Sequence, residues 1–96
     1  MFVLALEVEL HLNHSQSLKD KRQVLRSILD GARRRYSVAS AEVGGQDTWQ
    51  RAVLGFAAVA SSASHVEEVI DEVERFVWSH PEVDVLGTTR RWLDDD

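Results

Sequence analysis

The order of hydrophobic periodicities along the chain constrains its fold most strongly. Residues 2–12 alternate apolar and other side chains with a period of two, which is typical of a strand, and residues 18–36 carry apolar side chains at helical spacing. Further strands are predicted at 38–43, 49–60 and 83–92, with a second helix between the third and fourth strands. This βαββαβ order predicts a ferredoxin-like α+β sandwich, in which a four-stranded antiparallel sheet carries both helices on one face.

Local signals mark the ends of the predicted elements. A capping box at Ser17–Asp20, with Asp in place of the preferred Glu or Gln, precedes the first helix, and a second box at Ser64–Glu67 precedes the second. Pro81 fits the end of that second helix. Gly44-Gly45 supplies residues that tolerate positive φ, so the chain is expected to reverse direction there between the second and third strands.

Length and composition bound the class of protein. The 96 residues fit a single domain spanning 1–96, because two separate cores would each be too small, and the acidic residues 94–96 are expected to form a solvated tail. The absence of cysteine excludes disulfides, thiolate metal sites and cysteine nucleophiles. No apolar run approaches the roughly 20 residues that cross a bilayer, so we expect a cytoplasmic protein without a membrane partner.

Three stretches of the sequence resemble a known family. They are SLKDKR at 17–22, AEVGGQDTWQRA at 41–52 and HVEEV at 65–69. In order and spacing they resemble the YlxP-like family of small bacterial proteins, a family of unknown function. The resemblance implies the same ferredoxin-like fold and supplies no activity, cofactor or catalytic residue. The association of family members with genes for translation and ribosome maturation suggests an RNA or ribosomal partner, by association only.

Positive charge is concentrated in the first helix. The formal net charge is −5, yet seven of the eleven Lys and Arg residues lie within 19–35. A flank of this kind can follow a phosphate backbone, although an ordinary solvated face that covers the core is the alternative. No RNA-module signature accompanies it, and Phe2 and Phe56 are expected in the core rather than on a base-stacking surface. The predicted nucleic-acid or anion contacts are Lys19, Arg22, Arg26 and Arg33.

A second polar cluster surrounds the predicted turn between the second and third strands. Its members are Glu42, Asp47, Trp49 and Arg51. The favoured interpretation is a structural turn, in which Asp47 accepts backbone N–H bonds, Arg51 pairs with Glu42 or Asp47, and Trp49 packs. A partner-binding surface is the second interpretation. The third is an enzyme site with a carboxylate base and Arg51 as a clamp, which is disfavoured because no nucleophile with a placed base accompanies it.

The exposed face of the first strand offers few groups for a metal ion. Glu7, Glu9 and His11 share that face, but same-face neighbours on a strand lie about 7 Å apart. One ion cannot span three such side chains without help from another strand. We therefore expect neither a native metal site nor a cofactor.

The face of the sheet away from the helices is predicted to be apolar. Its expected members are Val3, Ala5, Val53, Ala57 and Val59. A bare surface of this composition is costly in water, so a second copy, the C-terminal segment with Trp92, or another partner is expected to cover it. A homodimer is favoured, because isologous pairing is the commonest solution.

Together these features predict a non-catalytic binding or assembly protein, associated with RNA or the ribosome through its basic first helix. One alternative is a homo-oligomeric protein–protein interaction module that uses the sheet face and the acidic second helix. The other is a small-molecule enzyme with its site at residues 42–51.

Overall fold

The computed structural model describes residues 1–93 and has the predicted βαββαβ order. A four-stranded sheet has the order β2-β3-β1-β4, with every neighbouring pair antiparallel, which confirms the ferredoxin-like α+β fold. The predicted acidic tail, 94–96, lies outside the described residues. The elements are β1 (Phe2–Leu12), α1 (Leu18–Tyr36), β2 (Ala39–Gly44), β3 (Arg51–Ala60), α2 (Ala63–Trp78) and β4 (Val83–Trp92).

The side chains of the central strand β1 alternate between the two faces of the sheet. Its even-numbered side chains from Leu4 to Leu12 face the helices, and each is at most 1% exposed. Pairing of β3 with β1 places Leu54 and Phe56 in the same layer, where both are buried. The strict alternation of β1 therefore sets the position of the whole core.

The two helices cover this layer and contact each other. The predicted second helix is confirmed as α2, and its apolar residues at helical spacing, Val66, Ile70, Val73 and Val77, are fully buried. On α1, Gly31 lies where a Cβ atom would come 2.6 Å from Cζ of Phe76. The missing side chain lets the Phe76 ring pack directly against α1, so this glycine serves helix–helix contact rather than a turn.

The start of α2 differs from the prediction. Ser62 caps the helix, since its hydroxyl accepts a hydrogen bond from the backbone N–H of His65 at 3.2 Å. The helix then begins at Ala63, and the capping box predicted at Ser64–Glu67 is wrong. Both serines precede the same apolar stripe, and the short connection from the end of β3 selects the earlier one.

The opposite face of the sheet is open. Register places Val3, Ala5, Val53, Ala57 and Val59 on it, as predicted. Burial of Leu54 and Phe56 on the helix side settles the phase of β3. From β2, Ala39 and Ala41 extend the same surface.

The aromatic residues at the end of the sheet do not cover that open face. Trp92 pairs with Leu4 and so lies on the helix side, where its ring meets Phe2 edge-to-face with centroids 6.5 Å apart. Phe2 is 43% exposed, so its predicted place in the core is wrong. It lies at the end of β1, beyond the span that the helices cover.

Candidate nucleic-acid interface

The N-terminus of α1 is fixed by two side-chain hydrogen bonds. Ser17 Oγ accepts from the backbone N–H of Asp20 at 3.1 Å, as in the predicted capping box. The return bond is displaced by one residue, because Asp20 Oδ2 accepts from the N–H of Gln16 at 3.2 Å. This cap orients the first two turns of α1, which carry Lys19 and Arg22, two of the four predicted contact residues.

A cleft of about 390 Å³ lies between α1, β2 and the loop 45–50. One wall is the apolar side of α1, and the opposite wall contains Glu42 and Gln46. Basic side chains border the opening. The residues of α1 that line the cleft are Leu18, Lys21, Arg22, Leu25, Arg26, Leu29, Asp30 and Arg33.

The structure brings three of the four predicted contact residues together at this cleft. Arg22 and Arg26 are exposed and make no ion pair within residues 1–93. Arg33 is already engaged, because its Nη1 lies 2.7 Å from Asp30 Oδ1 and its Nη2 donates to the carbonyl of Ser40 at 2.6 Å. Lys19 is exposed but does not line the cleft. Two guanidinium groups are thus available for a ligand.

Lys21 is the functional residue that the sequence reasoning missed. Its side chain is only 3% exposed, and its Nζ donates to the carbonyls of Gly45 at 2.5 Å and Thr48 at 2.7 Å. The same nitrogen lies 2.9 Å from Glu42 Oε2, as an ion pair whose angles are not those of a hydrogen bond. Its spacing from Leu18 and Leu25 places it on the buried stripe, which was the available signal.

The favoured interpretation of residues 42–51 is wrong in its details. Glu42 pairs with Lys21 rather than with Arg51, whose Nη1 lies 3.8 Å from Glu9 Oε1 on the open face. Trp49 is 53% exposed and precedes β3 instead of belonging to it.

The turn between β2 and β3 is stabilised by groups other than those predicted. Of the two glycines Gly44 and Gly45, the second alone has positive φ, at 76°, whereas Gly44 belongs to β2. Asp47 is exposed and accepts no hydrogen bond within residues 1–93, and the N–H of Thr48 donates to the carbonyl of Gly45 at 3.2 Å instead, while Lys21 binds the carbonyls of Gly45 and Thr48. The loop is therefore held to α1 by a buried ammonium group rather than by its own carboxylate.

This assignment predicts unequal effects of two loop substitutions. Asp47→Ala should change the free energy of unfolding by less than about 0.5 kcal/mol, as for a surface residue without partners. Thr48→Val should lower it by about 0.5–1.5 kcal/mol, since the Thr48 hydroxyl lies 3.2 Å from the Gly45 carbonyl and 3.3 Å from the Arg51 carbonyl and donates its one proton to either of them. Urea denaturation of both variants measures the difference. A larger loss from Asp47→Ala than from Thr48→Val would contradict it.

The acidic second helix is partly neutralised from within the fold. Arg90 of β4 lies 2.8 Å from Asp71 Oδ1 and 3.2 Å from Glu74 Oε1. Burial alone would lower the pKa of Arg90, but its hydrogen bonds to these two carboxylates outweigh that effect and raise the pKa. The remaining acids of α2 that face solvent are Glu67, Glu68 and Glu72.

The histidine of β1 contacts an amide oxygen and a carboxylate of the same chain. His11 Nδ1 lies 3.1 Å from Asn13 Oδ1 and 3.9 Å from Asp84 Oδ2. Within residues 1–93, no three histidine or carboxylate side chains group as metal ligands. Neither α1 nor α2 is both long and apolar enough to span a membrane.

Comparison with known proteins identifies the family of this chain. The family described as "Protein of unknown function (DUF503)" matches residues 3–90, and the chain belongs to that family. A relative from Bacillus subtilis (strain 168), "Uncharacterized protein YlxP", is 40% identical over 87 residues, which cover 91% of this chain and 95% of the relative. The resemblance found in the three sequence stretches is confirmed.

Proposed function

We propose that this protein is a non-catalytic binding protein that contacts RNA through Arg22 and Arg26. The observation that carries the proposal is the pair of exposed, unpaired guanidinium groups on one face of α1 beside a cleft. Residues four apart on a helix have Cβ atoms about 5–6 Å apart, which lets both side chains reach neighbouring phosphates. The proposal gives no residue a catalytic role. It places the protein in the cytoplasm, because an RNA partner and a chain without cysteine both suit that compartment.

The distribution of charge supports one side of the molecule as the contact surface. The cleft lies between α1 and β2, whereas the solvent-facing acids of α2 belong to the other helix. Repulsion by those acids extends over about 8 Å at physiological salt, so an RNA strand is attracted mainly at the α1 side. Binding is expected to be weak, dependent on salt and tolerant of sequence.

The test replaces both cleft arginines. Arg22→Gln/Arg26→Gln should lower the slope of log affinity against log salt by about 1.4, since each phosphate contact on a single strand contributes about 0.7. The matched control is Arg34→Gln/Arg75→Gln, which removes the same charge from exposed positions outside the cleft and should leave the slope nearly unchanged. Fluorescence titration of ribosomal RNA fragments across salt gives the slopes.

Two outcomes would contradict this proposal. Equal changes of slope for the two double variants would place the contact elsewhere on the surface. No binding of wild-type protein at low salt would remove the RNA role altogether and favour the protein–protein interaction module.

We also infer that the open sheet face pairs with a second copy of the chain. An apolar part of that face lies around Ala5 and Ala57, which are half-buried, and no helix or loop within residues 1–93 packs over it. Among residues 1–93, three acidic and two basic side chains share this face, so opposite charges are available to pair between two copies. These are Glu7, Glu9, Asp84, Arg51 and Arg91.

A further inference from the structure

We propose that the cleft beside α1 holds an unpaired base of single-stranded RNA, so that the protein prefers single strands to duplexes. This rests on the proposed RNA role of Arg22 and Arg26 and adds the class of RNA. The cleft differs from a plain basic surface in having an apolar wall, a polar wall and a defined depth between them.

The apolar wall is suited to the flat face of a base. Leu18 lines the cleft and is 41% exposed, although it begins the otherwise buried stripe of α1. Leu29 lies farther along the same wall and is half-buried. The cleft volume of about 390 Å³ falls within the range of about 300–1,000 Å³ found for small-molecule sites. An exposed apolar side chain inside the cleft can pack against the ring of a base.

The polar wall presents groups that bind base edges. Gln46 is exposed on the loop and lines the cleft, and its amide both donates and accepts. The Glu42 carboxylate lies beside it, with Oε2 held by Lys21 and its other oxygen left as an acceptor. Side-chain amides and carboxylates are the groups that pair with adenine and cytosine edges in protein–nucleic acid contacts. Arg22 and Arg26, on the opposite wall, are then positioned for the flanking phosphates.

The hydrogen bonds of Lys21 hold the cleft in shape before a ligand binds. By binding the carbonyls of Gly45 and Thr48, this lysine fixes the loop at a set distance from α1, so both walls exist before a ligand arrives. A base can enter only if it is unstacked, because duplex RNA keeps its bases paired inside a helix and shows mainly its backbone. Single-stranded loops and ends provide such bases.

The experiment compares labelled 12-nucleotide oligo(A) and oligo(U) with a blunt-ended RNA duplex of 12 base pairs at low salt. We expect at least tenfold tighter binding of a single strand than of the duplex. Leu18→Ser and Gln46→Ala should each weaken single-strand binding three- to tenfold, with the salt slope and duplex affinity unchanged. Leu86→Ser, at an equally exposed leucine outside the cleft, is the control. Circular dichroism and thermal melts establish that each variant is folded.

The outcomes separate this inference from the proposed function. Equal affinity for strand and duplex, together with no effect of Leu18→Ser or Gln46→Ala, would overturn the base-binding role while leaving the phosphate contacts intact. Displacement of the strand by AMP near the Kd of the strand itself would also overturn it, since the cleft would then serve a free nucleotide. Absence of binding to every RNA would reject the proposed function as well.

Discussion

Replacing Lys21 by methionine is expected to lower the free energy of unfolding by about 2–4 kcal/mol. The variant keeps the length of the side chain but removes the ammonium group that binds two loop carbonyls and Glu42. The carbonyl of Thr48 then loses its donor at a part-buried site, and the carbonyl of Gly45 keeps only the bonds from Thr48. The Glu42 side chain is 26% exposed and retains some hydration, which keeps the expected loss below that of a fully buried pair.

The chain offers a matched control on the same turn of the helix. Lys19→Met makes the same chemical change at an exposed position and should alter stability by less than about 0.5 kcal/mol. Equilibrium urea denaturation at neutral pH measures both variants. Adding Glu42→Gln to Lys21→Met should recover part of the loss, because no uncompensated carboxylate then faces the cleft. A Lys21→Met protein as stable as wild type would refute the anchoring role.

Introducing a charge at the centre of the open face should dissociate the proposed dimer. Four strands about 4.8 Å apart and five rows of side chains about 6.8 Å apart give a face of roughly 600 Å². Two such faces bury roughly 1,200 Å², the lower end of the range for specific interfaces. Ala57→Glu adds a bulky carboxylate beside Ala5, in the middle of this area. We expect the dimer dissociation constant to rise by at least about 100-fold, or about 2.7 kcal/mol.

The same substitution on the helix layer serves as the control. Ala63→Glu places the carboxylate in the first turn of α2, where it suits the helix dipole and leaves the sheet untouched. Light scattering at micromolar concentration should give about twice the chain mass of 10.9 kDa for wild type and this control, and the single mass for Ala57→Glu. A wild-type protein that remains monomeric would exclude the face-to-face dimer.

A face-to-face dimer would carry two copies of the proposed RNA contact site. Because both helices lie on the other side of each sheet, pairing of the sheets directs the two α1 clefts outward. Two sites on one particle raise avidity for a long RNA without any new contact, provided that the strand can span them. The Ala57→Glu variant would then bind long RNA more weakly than wild type but short oligonucleotides equally well.

The elements of this fold were predictable because they depend on local order in the sequence. The period of two in β1 and the helical stripe of α2 each require only neighbours within a few residues to be recognised. Element boundaries were less determined, since Ser62 and Ser64 both satisfy the local pattern of a cap. The position of α2 relative to β3 decided between them.

The candidate site depended on contacts between residues distant in sequence. Lys21 binds carbonyls that lie 24 and 27 residues away in the sequence. Because no local pattern indicates such contacts, the sequence did not distinguish this anchoring lysine from the exposed basic residues beside it. The same lysine gave Glu42 a partner other than Arg51. The sequence by itself determined the order of the elements and which faces are apolar, because both follow from periodicity. Only the tertiary structure decided which charges are paired, because that depends on which groups folding brings within hydrogen-bond distance.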